Sequence, residues 1–306
     1  MTTSSKFLKS AAVLSVLSLT LAACGDNGEE NGNGEDNGEA VGEGETITLT
    51  YVDGWTDGLS TSYLWQVILE EQGYNVEIEP LTDAAPLYAG LADGTLDVYP
   101  SAWLPYTHEA YMDEHGDDLE DLGGYYDGAV LTLTVPGYTD VDSIDELPDN
   151  ADLFDGEVIG IEPGAGHMET TSGTVFPEYG LDEDFELVES STAAMMAELD
   201  NALDAEEDIV VTLWRPFWAY DGERDLKDLE DPEGHLGEEE TLNLVANGEF
   251  SSEFPEVAEW MSNLELSDDE YAELEELVVE EHDGDIAGAE EWVEQNSDIV
   301  DELINN

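Results

Sequence analysis

Three tryptophans stand where a chain of alternating strand and helix signals would put ligand contacts. They are Trp55 in Tyr51-Val52-Asp53-Gly54-Trp55-Thr56-Asp57, Trp103 in Ser101-Ala102-Trp103-Leu104-Pro105-Tyr106-Thr107-His108, and Trp214 in Leu213-Trp214-Arg215-Pro216-Phe217-Trp218. Each sits at the end of a β-like run, the place where α/β sheets open their binding crevices. An indole face carries negative electrostatic potential and attracts an alkylated ammonium, a group with no N–H to donate. Three such faces around one cation, each contributing up to about 2 kcal/mol, would supply most of a micromolar affinity, about −8 kcal/mol. Trp65, Trp260 and Trp292 lie on helical apolar stripes and are expected to pack in the core, as is Trp218.

A fourth segment, Gly160-Ile161-Glu162-Pro163-Gly164-Ala165-Gly166-His167-Met168, puts a glycine-rich turn at a helix start. The backbone amides of Gly166 and His167 there form a ready anion site, favoured by the helix dipole. His108 can add a donor from neutral imidazole, and the His167 ring could become a second contact. Asp57 complicates the set, because a carboxylate beside the indoles helps a cation and repels a ligand carboxylate. Catalytic signatures are missing: there is no Gly-x-Ser-x-Gly elbow, no Walker loop and no zinc-type His/Cys pairing. His108 and His115 could share a helix face, but two histidines do not define a metal site. The expectation is a binding protein and not an enzyme, without metal or cofactor.

The elements that must position these residues alternate from residue 46 onward, as in α/β proteins. Strands are expected at Ile47–Val52, Asn75–Ile78, Leu96–Tyr99, Ala129–Val135, Val158–Ile161, Phe185–Val188 and Asp208–Leu213. Helices are expected at Ser62–Gln72, Ala84–Leu91 and Thr192–Leu203, with another opening near Gly166 and a helical tail after about residue 250. Two βαβ-rich blocks favour two lobes, with Ala129–Val135 as a hinge strand between them. The expected division is 46–133 plus 235–306 for the first lobe and 134–234 for the second, the helical tail returning to the first.

The chain has 306 residues, and its start reads as an export signal. Lys6 and Lys9 precede an apolar run, Ala11 to Ala23, too short to span a bilayer. The run ends in Leu21-Ala22-Ala23-Cys24-Gly25, which resembles a bacterial lipobox. That resemblance implies a signal peptide over 1–23 and a lipid anchor on Cys24, the sole cysteine, which also excludes an internal disulfide. Residues 24–45 form an acidic, Gly/Asn-rich segment too poor in apolar side chains to fold, read as a tether. Beyond Cys24 the only cations are Arg215, Arg224 and Lys227 against 78 acidic residues, a formal 78 − 3, or −75. Phosphate contacts need clustered cations, so nucleic-acid binding is excluded. Seven tryptophans and thirteen tyrosines argue against a disordered acidic chain. What remains is an acidic surface suited to high salt, where self-repulsion is screened.

Over about residue 46 to the C-terminus the sequence resembles the glycine betaine and choline substrate-binding proteins of ABC importers. The segments that carry the likeness are Ser101–His108, Gly160–Met168, Glu189-Ser190-Ser191-Thr192-Ala193-Ala194-Met195 and Trp214–Trp218. The resemblance implies a type II periplasmic-binding-protein fold, two α/β lobes closing on a ligand in the cleft. It implies a cage of Trp55, Trp103 and Trp214 for the methylated ammonium. The ligand carboxylate would be held by the amides of Gly166 and His167 and by His108. Gly54-Trp55-Thr56-Asp57 is similar to the choline-binding branch, in which the matching aspartate faces the ligand. Glycine betaine (or proline betaine) is the preferred ligand because two features address a carboxylate, and choline is the alternative. The implied partners are the permease and its ATPase, for a monomeric receptor anchored outside the cell membrane.

Overall fold

The computed structural model describes residues 41–42, 44–220 and 224–305. The leader, Cys24 and nearly all of the tether lie outside the described residues. Among those described, no helix is long and apolar enough to cross a membrane.

Strand β1 (Thr46–Val52) leads into helix α1 (Thr56–Glu71), then β2 (Asn75–Leu81), α2 (Ala84–Ala92), β3 (Val98–Leu104) and α3 (Glu109–His115). The long strand β4 (Leu119–Pro136) follows, then β5 (Glu157–Ile159). A continuous helical stretch begins with α4 (Gly166–Thr170), widens to a π-turn over Thr171–Val175 and ends as α5 (Phe176–Tyr179). Next come β6 (Glu186–Val188), α6 (Thr192–Ala205), β7 (Val211–Arg215), β8 (Leu226–Asp228) and β9 (Glu240–Asn247). The tail is helical: α7 (Phe250–Glu253), α8 (Pro255–Ser262), α9 (Asp268–Glu275), α10 (Ala287–Gln295) and α11 (Ser297–Asn305).

The strands form one curled sheet in the order β2-β1-β3-β9-β4-β7-β5-β6, with β8 also on β4. β4 is shared between its two halves. Residues Leu119 to Ala129 pair antiparallel with β9, and Val130 to Thr134 pair antiparallel with β7. The change of partner falls between Ala129↔Glu240 and Val130↔Arg215, beside Gly128 at φ +106°. The tail helices return to the first half, where α10 packs on α1.

Parallel strands covered on both faces need continuous apolar character. β1 meets that demand with Ile47, Leu49 and Val52 fully buried. One core cluster includes Trp65, Trp260 and Trp292, as expected, and extends across the cleft to Trp214 and Phe217. A second cluster, around Leu133, Ile144, Leu147, Phe154 and Val158, fills the far half. Trp218 is half-buried against Phe217 and is covered by the Arg224 guanidinium, 4.5 Å from its ring. All three described cations are paired with aspartates: Arg215 with Asp228, Arg224 with Asp200 and Lys227 with Asp142, at 2.6 to 2.8 Å.

Strand β4 begins ten residues before the expected Ala129, β3 runs on to Leu104 past the expected Tyr99, β8 falls where no strand is expected, and two further departures bear on the site. Helix α1 starts six residues before Ser62, because Thr56, Asp57, Gly58, Ser60 and Thr61 are buried in its first turns. Low helix propensity there is overridden by packing. Strand β9 falls in a stretch given no element, yet it joins β3 to β4.

Candidate functional site

Trp55 is the residue preceding α1, Trp103 the penultimate residue of β3 and Trp214 the penultimate residue of β7. The sheet brings these strand ends together. All three rings are at most 6 % exposed, and they line one cavity with Asp57, Thr107, His108, Leu131, Ile161, Ala165, Gly166 and His167. The cavity encloses about 310 Å³ of empty space, part of it open to solvent.

Two of the indoles are oriented through their N–H groups. Trp103 Nε1 donates to Asp57 Oδ2 at 2.9 Å, and the Ser101 hydroxyl donates to the same oxygen. Trp55 Nε1 donates to Glu162 Oε2 at 3.2 Å. Trp214 packs instead on Phe217, ring centroids 4.4 Å apart. Asp57 is buried in the first turn of α1, and its Oδ1 has no hydrogen-bond partner among the described residues. Desolvation raises its pKa, against the lowering effect of the bonds from Ser101 and Trp103.

The polar corner is built around His108, which caps α3. The Trp103 backbone N–H donates to its Nδ1 at 3.0 Å. The ring proton must therefore reside on Nε2, which is left as a donor. Burial lowers the imidazole pKa to about 3, so the ring is neutral across the physiological range. It stacks on Trp55 at 6.0 Å and 11°, with Tyr88, Tyr99 and Tyr111 around its remaining sides. The loop carrying it is tied down by Glu240, which accepts from the amides of Tyr106 and Thr107 at 2.7 and 2.8 Å and from the Thr107 hydroxyl.

Across the cleft, Gly166 and His167 open α4 with amides that lie beyond the reach of intrahelical acceptors. A Cβ on Gly166 would come within 1.8 Å of the Thr107 carbonyl oxygen, so only glycine allows this approach. The Tyr111 hydroxyl donates to the Gly164 carbonyl nearby. The imidazole of His167 does not provide the second contact the sequence allowed. Its Nε2–H lies between the carbonyls of Thr132 and Leu213, at 3.0 and 2.9 Å, and its Nδ1 faces the Thr171 hydroxyl at 3.1 Å. These bonds turn the ring into the far half, leaving the backbone to line the cavity.

A family model described as the substrate binding domain of an ABC-type glycine betaine transport system matches residues 45–295. The chain belongs to this family. Among its relatives is the glycine betaine/carnitine transport binding protein GbuC of Listeria monocytogenes serotype 1/2a, 30 % identical over 174 residues. That match covers 56 % of this chain and 56 % of the relative, so the chain spans little more than half the length of that curated protein. The glycine betaine/L-proline-binding protein ProX of Borrelia burgdorferi is 31 % identical with a TM-score of 0.78, covering 84 % of this chain and 95 % of that one. Lactococcal OpuAC, solved closed with glycine betaine, is 28 % identical with a TM-score of 0.78, covering 85 % and 100 %. The two-lobed periplasmic-binding-protein architecture expected from the sequence is thus the fold of this chain.

Sequence reasoning missed two carboxylates in this site. Glu162 and Glu240 are 6 % and 4 % exposed and hold the Trp55 ring and the His108 loop. Among 78 acidic residues neither is distinguished by spacing, although Glu162 lies inside the Gly160–Met168 segment.

Proposed function

We propose that the chain is the extracytoplasmic receptor of an ABC importer and that its ligand is glycine betaine or proline betaine. The observation that carries this reading is one small cavity with opposite chemistry at its two ends. Three indole faces suit a quaternary ammonium. His108 Nε2–H and the amides of Gly166 and His167 suit a carboxylate about one short linker away. In this reading the lobes are 46–133 plus 235–306 and 134–234, and cleft closure excludes water from both ends. The receptor acts as a monomer tethered through a lipid on Cys24, and it hands its ligand to the permease and its ATPase. An unmodified Cys24 in the mass of the mature protein would remove the anchor from this picture.

Choline binding is the second reading, favoured by Asp57, which lines the cavity and whose Oδ1 has no hydrogen-bond partner among the described residues. A calorimetric panel of glycine betaine, proline betaine, choline, carnitine and ectoine separates the two. The betaines are expected to bind tightest; choline binding more tightly than either betaine would overturn the assignment.

A further inference from the structure

Glu162 is a buried carboxylate on the loop after β5, and none of the described cations is paired with it. Its oxygens accept three hydrogen bonds. Oε1 takes the Thr192 amide at 2.8 Å, and Oε2 takes the Thr192 hydroxyl at 2.8 Å and the Trp55 indole N–H at 3.2 Å. Thr192 opens α6, so Glu162 and Thr192 both belong to the half of the sheet around β5 to β7. Trp55 belongs to the other half, at the end of β1. The bond between Trp55 and Glu162 therefore crosses the cleft. The same seam is tight elsewhere: a Cβ on Gly54 would lie 3.1 Å from the Thr192 Cβ, at a backbone φ of +94°.

The contrast with Trp103 is informative. Its indole N–H also donates to a buried carboxylate, but that carboxylate is Asp57 from its own half. Trp103 is therefore oriented whether or not the halves meet. Trp55 obtains its acceptor from the opposite half, so the orientation of its ring depends on closure. A carboxylate accepting from an indole N–H also pushes electron density toward the ring, strengthening its attraction for a cation on the face.

We infer that Glu162 is a positioning residue that fixes the Trp55 face from across the cleft, making one wall of the cation cage complete only in the closed state. This rests on the proposed cage. Glu162 need not touch the ligand to do so. Its removal should weaken every quaternary-ammonium ligand alike, because the Trp55 face is presented to the cation that all of them share.

A double-mutant cycle with Trp55→Phe, which keeps an aromatic ring and deletes the N–H, isolates the effect. Glu162→Gln offers an amide that cannot accept all three donors. It is expected to weaken glycine betaine and choline by the same factor, about fivefold to tenfold, the loss of about one ordinary hydrogen bond. In the Trp55→Phe background the same change should alter affinity less than twofold. The Trp55 indole proton resonance, assigned by its disappearance in Trp55→Phe, should move upfield in closed, ligand-bound Glu162→Gln. Should Glu162→Gln cost as much in the Trp55→Phe background as in the wild-type chain, or should the indole resonance stay in place, Glu162 would be only a support for α6 and the inference would fall. Full affinity in Trp55→Ala would instead overturn the cage itself, and the inference with it.

Discussion

The two walls of the cavity, one from each half of the molecule, are built by different means. The wall from the first half presents side chains already braced inside that half: Trp103 by Asp57, and His108 by the Trp103 amide. The wall from the second half combines the Trp214 indole with the turn at Gly166, which is pressed against Thr107, while the His167 ring is hydrogen-bonded to Thr132 and Leu213. Trp103 and His108 are therefore oriented within the first half, whereas Trp55 takes its acceptor, Glu162, from the second. Preorganised groups cost little ordering entropy on binding.

Gly166→Ala should produce the largest effect, because its methyl would occupy the space of the Thr107 carbonyl. A clash of this kind costs about 3 kcal/mol, so roughly 100-fold weaker binding is expected by calorimetry, with an unchanged melting temperature for the ligand-free protein. Wild-type affinity in this variant would mean that the two walls do not need to meet. Trp214→Ala comes next. It removes the one indole on the second wall and should cost about 2 kcal/mol, roughly 30-fold, for any quaternary ligand.

His108→Ala sharpens the comparison at the polar corner. It should weaken glycine betaine by about 1.5 kcal/mol, roughly tenfold, and leave choline nearly untouched. Asp57→Asn should do the reverse, and a tight choline complex indifferent to His108 would reassign the ligand. Because burial holds the His108 pKa at about 3, betaine affinity should show no inflection near the ordinary histidine value of about 6.5. The linked effect on stability has a definite sign. Between the unfolded value of about 6.5 and the folded value of about 3, the unfolded chain binds the extra proton. The His108 contribution is thus complete above pH about 6.5 and is lost as pH falls toward 3. A titration of binding centred near pH 6.5 would contradict the buried, neutral ring.

The smallest effect per group, though summed over many, is electrostatic. With 78 acidic residues against five basic ones, raising KCl from tens of millimolar to molar should raise the melting temperature, as the screening length falls from about 10 Å at 0.1 M to about 3 Å at 1 M. Ligand affinity should change far less, since the cavity is buried. A melting temperature indifferent to salt would contradict the picture of a self-repelling surface.

The gathering of Trp55, Trp103 and Trp214 at one cavity is legible in the sequence because strand-end tryptophans are conspicuous against helical apolar stripes. Trp65, Trp260 and Trp292 are separable from it on the same ground. The strand Ala129–Val135 is visible as a β-branched run, but its extension back to Leu119 is hidden by Gly123 and Gly124. The first turns of α1 are hidden because threonine, serine and glycine carry no helical stripe, and burial selects them for fit under the sheet. Buried carboxylates are the least legible: Glu162 and Glu240 differ from their exposed counterparts only in what surrounds them.

The exchange of partners along β4 bears on how the molecule opens. The ladder to β9 ends at Ala129, and the ladder to β7 begins at Val130, so no sheet pairing spans the joint. We propose that rotation about the backbone there, which would leave both ladders whole, lets the strand serve as the hinge. On that proposal, contacts that cross the cleft, such as Trp55 with Glu162 and Tyr111 with Gly164, would resist opening. The lifetime of the closed state would then be set by a few cross-cleft side chains and decoupled from the stability of the sheet behind them.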